Sequence, residues 1–308
     1  MSVAAGIDVG GTKCLGVLLD HDGRMVRQIR KPTPYGGDAL IATLAELAGE
    51  LGDYDSLGIG IPGLVTREGI LRAAPNVGGI ADTPVGPRLR ERLGHPVAVD
   101  NDATCAAVAE WTLGAARGAS DMVMVTLGTG IGGGIVAGNK LQRGINGFAG
   151  EIGHILVDPD GPECPCGRRG CWERFASGSG LGFLARRAFE EGRLAGVLEP
   201  GDDPSQIRGE HVATAAREGN SSAVAVLDEF AKWVAVGLVN LTNVLDPGMF
   251  VLGGGLAELG QLLHGPTHRW FRELLYAPSL RPHPQLVIAE LGERAGAYGA
   301  AMLPMVHG

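Results

Sequence analysis

The chain has 308 residues, room for about two domains of the usual ~150 residues. With 45% hydrophobic and 19% charged residues it can bury a core, which excludes a disordered chain. The 26 Lys and Arg against 34 Asp and Glu leave a net charge of −8, without the basic footprint that a phosphate backbone requires, so nucleic-acid binding is not expected.

In chain order, residues 3–9 and 14–19 read as strands joined through a Gly10-Gly11-Thr12-Lys13 turn, and Asp22-Gly23 turns the chain into a third strand. Leu40, Leu44, Leu47 and Leu51 recur at helical spacing over residues 39–51. Residues 57–61 form a short buried strand cut off by Pro62-Gly63. A strand over 97–99 ends at Asp100, and a helix starts near Asn101-Asp102 and runs to about residue 113. The second half repeats this plan: a strand over 122–127, a glycine turn, and a strand over 135–137. A long helix over 223–245 is stopped by Asp246-Pro247, and a strand over 249–252 feeds Gly253-Gly254-Gly255 and a further helix. Residues 192–209 read as a surface excursion, and the whole as two α/β lobes.

The first residues lack a basic segment followed by a long apolar one, so no secretory signal is expected. The longest uncharged stretch, 122–139, holds six glycines and is no spanning helix. No membrane segment is expected. An odd set of five cysteines, three of them within 164–171, is no secreted disulfide framework, so the expected compartment is the cytoplasm.

The 51 glycines cluster in loops after strands, where backbone N–H groups converge on anions. Gly128, Gly130 and Gly133 fit Gly-x-Gly-x-x-Gly, but a dinucleotide fingerprint must open a helix, and here a strand follows. No Walker-type loop occurs either. What remains is one Gly-Thr hairpin in each lobe, suited to clamping a triphosphate, with Asp8 placed to hold magnesium through water.

Cys164, Cys166 and Cys171, with His154 ten positions earlier, make a closed tetrahedral zinc set, which organises a loop and leaves no place for a reacting water. Cys14 and Cys105 are expected in the core. Asn101 suits a helix cap, and Asp102 in the first helical turn stays ionised as a modest base, enough for phosphoryl transfer. Glu151, His154 and Glu173, pinned by the zinc loop, suit the hydroxyls of a sugar, whereas Arg168 and Arg169 read as solvated charges.

In order along the chain, Asp8-Val-Gly-Gly-Thr-Lys13, Ile61-Pro-Gly63, Asn101-Asp-Ala103, Leu127-Gly-Thr-Gly-Ile-Gly-Gly-Gly134, Glu151-x-Gly-His154, Cys164-x-Cys-Gly-x-x-Gly-Cys-x-Glu173 and Leu252-Gly-Gly-Gly255 resemble the ROK family of repressors and sugar kinases. The resemblance implies a two-lobed actin/hexokinase-like ATPase fold with the zinc-stapled loop in the larger lobe. It implies a small lobe of residues 1–114 completed by a C-terminal helix over 294–308, and a large lobe over 115–293. The implied activity is transfer of the ATP γ-phosphoryl group to the 6-hydroxyl of glucose, with Asp102 accepting the proton and magnesium accompanying ATP. Gly63, Asn76, Asn101, Asp102, Glu151, His154 and Glu173 would hold the sugar, and Gly10, Gly11, Thr12, Lys13, Thr129 and Gly130 would line the phosphates. Gly253 and Gly254 would lie near the adenosine, and His154 would give one ring nitrogen to zinc and one to sugar. Relatives close their lobes over the sugar and assemble as dimers or tetramers, so a homo-oligomer is expected.

The chain departs from the family in two places: Ile80 follows Pro75-Asn76-Val-Gly-Gly79 where a Trp is usual, and Thr104 replaces Asn. The alternative sugar is an N-acylhexosamine such as N-acetylglucosamine or N-acetylmannosamine, which the same motifs serve. A sugar-responsive repressor is less favoured, because Asp8 stands too near Met1 for a preceding DNA-binding domain and the charge is acidic.

Overall fold

The computed structural model describes residues 3–74, 77–197 and 203–306. The chain divides into two compact units, the first comprising Met1–Met124, Gly133–Gly150 and Ala289–Gly308, the second Val125–Gly132 and Glu151–Ile288.

The first unit begins with β1 (Ala4–Val9), β2 (Lys13–Leu19) and β3 (Met25–Pro32), followed by α1 (Gly37–Leu51) and β4 (Ser56–Ile61). A small antiparallel sheet of β5 (Leu64–Val65), β6 (Leu71–Ala73) and β7 (Ala81–Thr83) comes next. Then follow α2 (Val85–Leu93), β8 (Val97–Asn101) and α3 (Asp102–Thr112). The main sheet has the order β3-β2-β1-β4-β8, with the hairpin strands antiparallel and the β1-β4 and β4-β8 pairs parallel.

β1 is buried on both faces, and its period of two sorts its side chains. Ala5, Ile7 and Val9 join Leu40, Leu44, Leu47 and Leu51 of α1 in one core. Ala4 joins the opposite core, with Cys105 and Val108 of α3 and Ala297, Ala300 and Ala301 from the C-terminal end of the chain. Gly6 and Asp8 share the Ala4 face by alternation. A β-carbon on Gly6 would lie 2.1 Å from the Ala297 carbonyl oxygen, and one on Gly58 would lie 1.8 Å from that of Ala300. Only glycine admits a helix so close to the sheet.

The second half opens with β9 (Met122–Leu127), β10 (Ile131–Ala137) and β11 (Lys140–Leu141), the division between units falling within β9 and β10. After the cysteine loop come α4 (Glu173–Ala176), α5 (Gly178–Glu190), α6 (Gly209–Arg217), α7 (Ser221–Leu245), β12 (Met249–Gly253), α8 (Gln261–Leu274) and β13 (Gln285–Ile288). α9 (Ala295–Val306) belongs to the first unit. The second sheet has the order β11-β10-β9-β12-β13, the same strand order in sequence as the first, with β10-β11 antiparallel and β12-β13 parallel. No helix among the described residues is long and apolar enough to cross a membrane.

Two expectations need amending. The glycine run ending at Gly134 reads as a turn, yet the turn is confined to residues 128–130 and β10 starts at Ile131. The cause is packing: a β-carbon on Gly134 would sit 2.3 Å from that of Ala107, so α3 demands glycine within the strand. Residues 133–150, read from sequence as part of the large lobe, lie in the first unit, where Arg67 Nε donates to the Gly144 carbonyl (2.9 Å).

Candidate functional site

In the first unit, the Gly10-Gly11-Thr12 turn is closed by Gly10 N–H donating to the Lys13 carbonyl (2.8 Å). Thr33 braces it, its hydroxyl donating to the Gly10 carbonyl (2.6 Å) and its N–H to that of Thr12 (3.1 Å). Lys13 Nζ is turned to Glu293, 2.9 Å away, in an exposed ion pair. Asp8 stands at the end of β1, where a β-carbon on Gly296 of α9 would lie 2.6 Å from its carboxyl carbon. Burial first, and the Asp102 carboxylate second, push Asp8 up to about 7, with Lys13 pulling the other way.

Asp102 is the first residue of α3. Its Oδ1 accepts from Ala103 N–H (2.9 Å), and burial outweighs this and raises its pKa. Asn101 caps the helix: its Oδ1 accepts from Ala103 N–H (2.8 Å) and Thr104 N–H (3.1 Å). Its Nδ2 donates to the Gly63 carbonyl (3.1 Å), tying the cap to the Pro62-Gly63 turn. Asp8, the glycine turn, Gly63, Asn101 and Asp102 therefore share one unit, and the charge of Asp102 bears on Asp8. Asn76 lies outside the described residues.

In the second unit, Gly128 N–H donates to the Gly130 carbonyl (3.0 Å), leaving Thr129 exposed at the tip of the β9-β10 turn. Gly178 N–H, at the start of α5, donates to the Gly128 carbonyl (2.7 Å), so a helix N-terminus backs the turn. Gly254, at φ +81°, follows β12 with its α-carbon against the end of β9: a β-carbon would meet the Leu127 carbonyl at 2.5 Å. Gly253 is the last residue of β12.

The ligand atoms of His154, Cys164, Cys166 and Cys171 all lie within 4.8 Å of one another. Cys166 Sγ and Cys171 Sγ are 3.6 Å apart, and Cys164 Sγ is 3.9 Å from His154 Nδ1. A tetrahedron with metal–sulfur bonds of about 2.3 Å has edges of about 3.8 Å, so the four donors fit zinc by number, type and spacing. Cys164 and Cys171 are buried, while Cys166 is exposed.

Glu173 opens α4 beside this cluster. Its Oε1 accepts from the Cys164 thiol (3.1 Å) and lies 3.8 Å from His154 Nδ1. A β-carbon on Gly130 would fall 2.7 Å from its Oε2, so one carboxylate touches both the cysteine cluster and the hairpin turn. Glu151 precedes a 3-10 turn over Ile152–His154 and is exposed, its carbonyl accepting from His154 N–H (3.2 Å). Arg169 pairs with Glu163 at the surface, as a solvated loop charge should.

Three features beside these residues are not singled out by sequence: Asp100, Arg143 and the Ser177-Gly178 cap. Asp100 carries a signal, an acidic residue directly after the apolar run Val97-Ala98-Val99 of a strand. Arg143 carries none, because its partner is remote in the chain.

Two α/β sheets of matching plan, each opening on a glycine-turn hairpin, with a His/Cys3 cluster in the second unit, define an actin/hexokinase-like ATPase fold. The chain matches the ROK family over residues 4–306, and belongs to it. It is 39% identical to a ROK family glucokinase from Streptomyces griseus, solved in complex with glucose and AMPPNP, with a TM-score of 0.84 over 98% of both chains. It is 38% identical to the glucokinase of Streptomyces coelicolor over 98% of each chain. The N-acetylmannosamine kinase of Citrobacter koseri is 36% identical over 84% of this chain and 86% of its own.

Proposed function

We propose that this ROK protein is an ATP-dependent hexose kinase that phosphorylates the 6-hydroxyl of glucose. The observation that carries the kinase reading is Asp102, a partly buried carboxylate in the first turn of α3, fixed by the Asn101 cap, with its pKa raised by burial. A carboxylate shifted toward neutrality is a better proton acceptor near pH 7 than an exposed one. Phosphoryl transfer asks little more of a base than that it receive the hydroxyl proton late, while the charge on the transferring group is neutralised.

In this reading Asp102 takes the 6-hydroxyl proton, and Asn101, Gly63, Asn76, Glu151, His154 and Glu173 hold the remaining hydroxyls. The Gly10-Gly11-Thr12-Lys13 and Thr129-Gly130 turns line the phosphates of Mg-ATP. Asp8 receives magnesium through water, and Gly253 and Gly254 flank the adenosine. His154, Cys164, Cys166 and Cys171 would hold zinc, which supplies rigidity to the loop and no chemistry, since four protein donors close its coordination. With Nδ1 on the metal, His154 keeps Nε2 for the sugar. The protein would work in the cytoplasm as a dimer or tetramer, which sedimentation of the purified chain would test.

Glucose is favoured by the 38% and 39% identity to glucokinases across 98% of the chain. The second reading, an N-acetylmannosamine kinase, is favoured by the 36% identity to such an enzyme over a shorter stretch. A coupled assay for ADP release with Mg-ATP and glucose, mannose, N-acetylglucosamine or N-acetylmannosamine separates them. Dominance of glucose supports the proposal, dominance of an N-acetylated sugar selects the second reading, and no turnover with any of the four removes both.

A further inference from the structure

Asp100 and Arg143 form a nearly solvent-free ion pair in the first unit, the Asp100 side chain 1% exposed and that of Arg143 11%. Arg143 Nε lies 2.7 Å from Asp100 Oδ2, although its N–H is not aligned as a hydrogen bond, and a guanidinium NH2 donates to the Val99 carbonyl (3.4 Å). One guanidinium thus grips the two residues that precede the α3 cap. The other carboxylate oxygen of Asp100 accepts from Asn101 N–H at 2.8 Å. Asn101 then holds Ala103 and Thr104 through its Oδ1 and Gly63 through its Nδ2.

Burying two charges is seldom the most stable way to fill a space, because apolar side chains of similar volume do as well or better. Stability alone therefore explains the pair poorly, and a fixed register explains it well. The loop carrying Arg143 is itself fastened down: Arg67 holds the Gly144 carbonyl, and Gly147, at φ +95°, leaves no room for a β-carbon against the Val65 carbonyl. Arg143 is thus a fixed point against which the end of β8 is aligned.

We propose that Arg143 is a positioning residue for the reaction: through Asp100 it sets the Asn101 cap and with it the place of the Asp102 carboxylate. This rests on Asp102 being the base. A misplacement of about 1 Å at a reacting group costs on the order of a hundredfold in rate. Removing the pair should therefore act on kcat and leave the binding of ATP alone.

The test uses the full chain. R143Q alone leaves a buried carboxylate without its guanidinium and is liable to misfold, so the informative variant is D100N/R143Q, which removes both charges, with R143K beside it. The expected result for the double variant is a folded protein whose kcat is down by about ten- to a hundredfold while its KM for ATP stays within about twofold, with R143K in between. Hydrogen exchange at the Ala103 and Thr104 amides should be faster in the double variant, since those N–H groups rest on the cap. A folded double variant with unchanged kcat and unchanged amide exchange overturns the proposal. A wild type that turns over no sugar removes the kinase reading on which the proposal rests, and the exchange rates then still decide whether Arg143 sets the cap.

Discussion

Gly130→Ala is the substitution that most directly probes how the hairpin turn and Glu173 depend on one another. The new methyl would lie 2.7 Å from Glu173 Oε2, against the 3.4 Å of ordinary contact, so the carboxylate must retreat by about 0.7 Å. The atom that moves ends a flexible side chain, so the fold should tolerate the change. A hydrogen bond from a sugar hydroxyl of about 2.8 Å would stretch to about 3.5 Å, beyond useful length. Bonds to charged groups contribute about 1.5–3 kcal/mol, so at 1.4 kcal/mol per tenfold the KM for sugar should rise about ten- to a hundredfold. Gly128→Ala is the control in the same turn, because its β-carbon would find nothing nearer than the Gly130 carbonyl at 4.0 Å. Steady-state kinetics at saturating Mg-ATP with varied sugar measure the difference. If both variants raise the sugar KM equally, or neither does, the contact between Gly130 and Glu173 has no bearing on sugar binding.

Asp102→Asn should keep sugar affinity and lose about a hundredfold or more in kcat, and near-normal turnover would remove it as base. Cys166→Ser alters an exposed side chain, so packing should survive while zinc, by elemental analysis, falls from about one per chain to a small fraction; unchanged metal content would sink the assignment. Glu110 is fully buried in α3 and accepts from Ala115, Glu290 and Leu291 N–H groups. In Glu110→Gln an amide donor must face N–H donors, which costs about 1–3 kcal/mol and lowers the melting temperature by about 3–10 °C. A calorimetric shift below about 2 °C would contradict that account. Asp8, at about 7 in the fold against an ordinary 3.8, holds a proton that the unfolded chain has released between those values. Its contribution to stability is complete below about pH 4 and is lost as pH rises through 7. In magnesium-free buffer the melting temperature should fall over that window, and Asp8→Asn should flatten the fall; an equal slope in both proteins would show that Asp8 is not responsible.

Local features of this fold were legible because their causes are local. Asn101-Asp102 at a strand–helix junction and one histidine and three cysteines between residues 154 and 171 announce themselves within a few residues, and the structure has the cap and the cluster there. The leucine spacing of α1 fixed its buried face for the same reason. What sequence hid was set by distant partners. Gly134 looks like a turn residue until α3 is known to lie against it, and Arg143 looks like any loop arginine until Asp100, remote in the chain, is found beside it. The short β5-β6-β7 strands, two or three residues each, carry too little periodicity to be seen.

The close seat of α9 on β1 and β4 also fixes an order of events during synthesis. The second unit is one nearly continuous run ending at Ile288, whereas the first contains both β1 and α9. At about 5–20 residues per second, the sheet that carries Asp8 waits roughly ten to thirty seconds between translation of Met124 and arrival of the helix that covers its Gly6–Gly58 face. Throughout that interval the part of the face that α9 will cover lacks its helix on the nascent chain, with α3 alone of its two helices made.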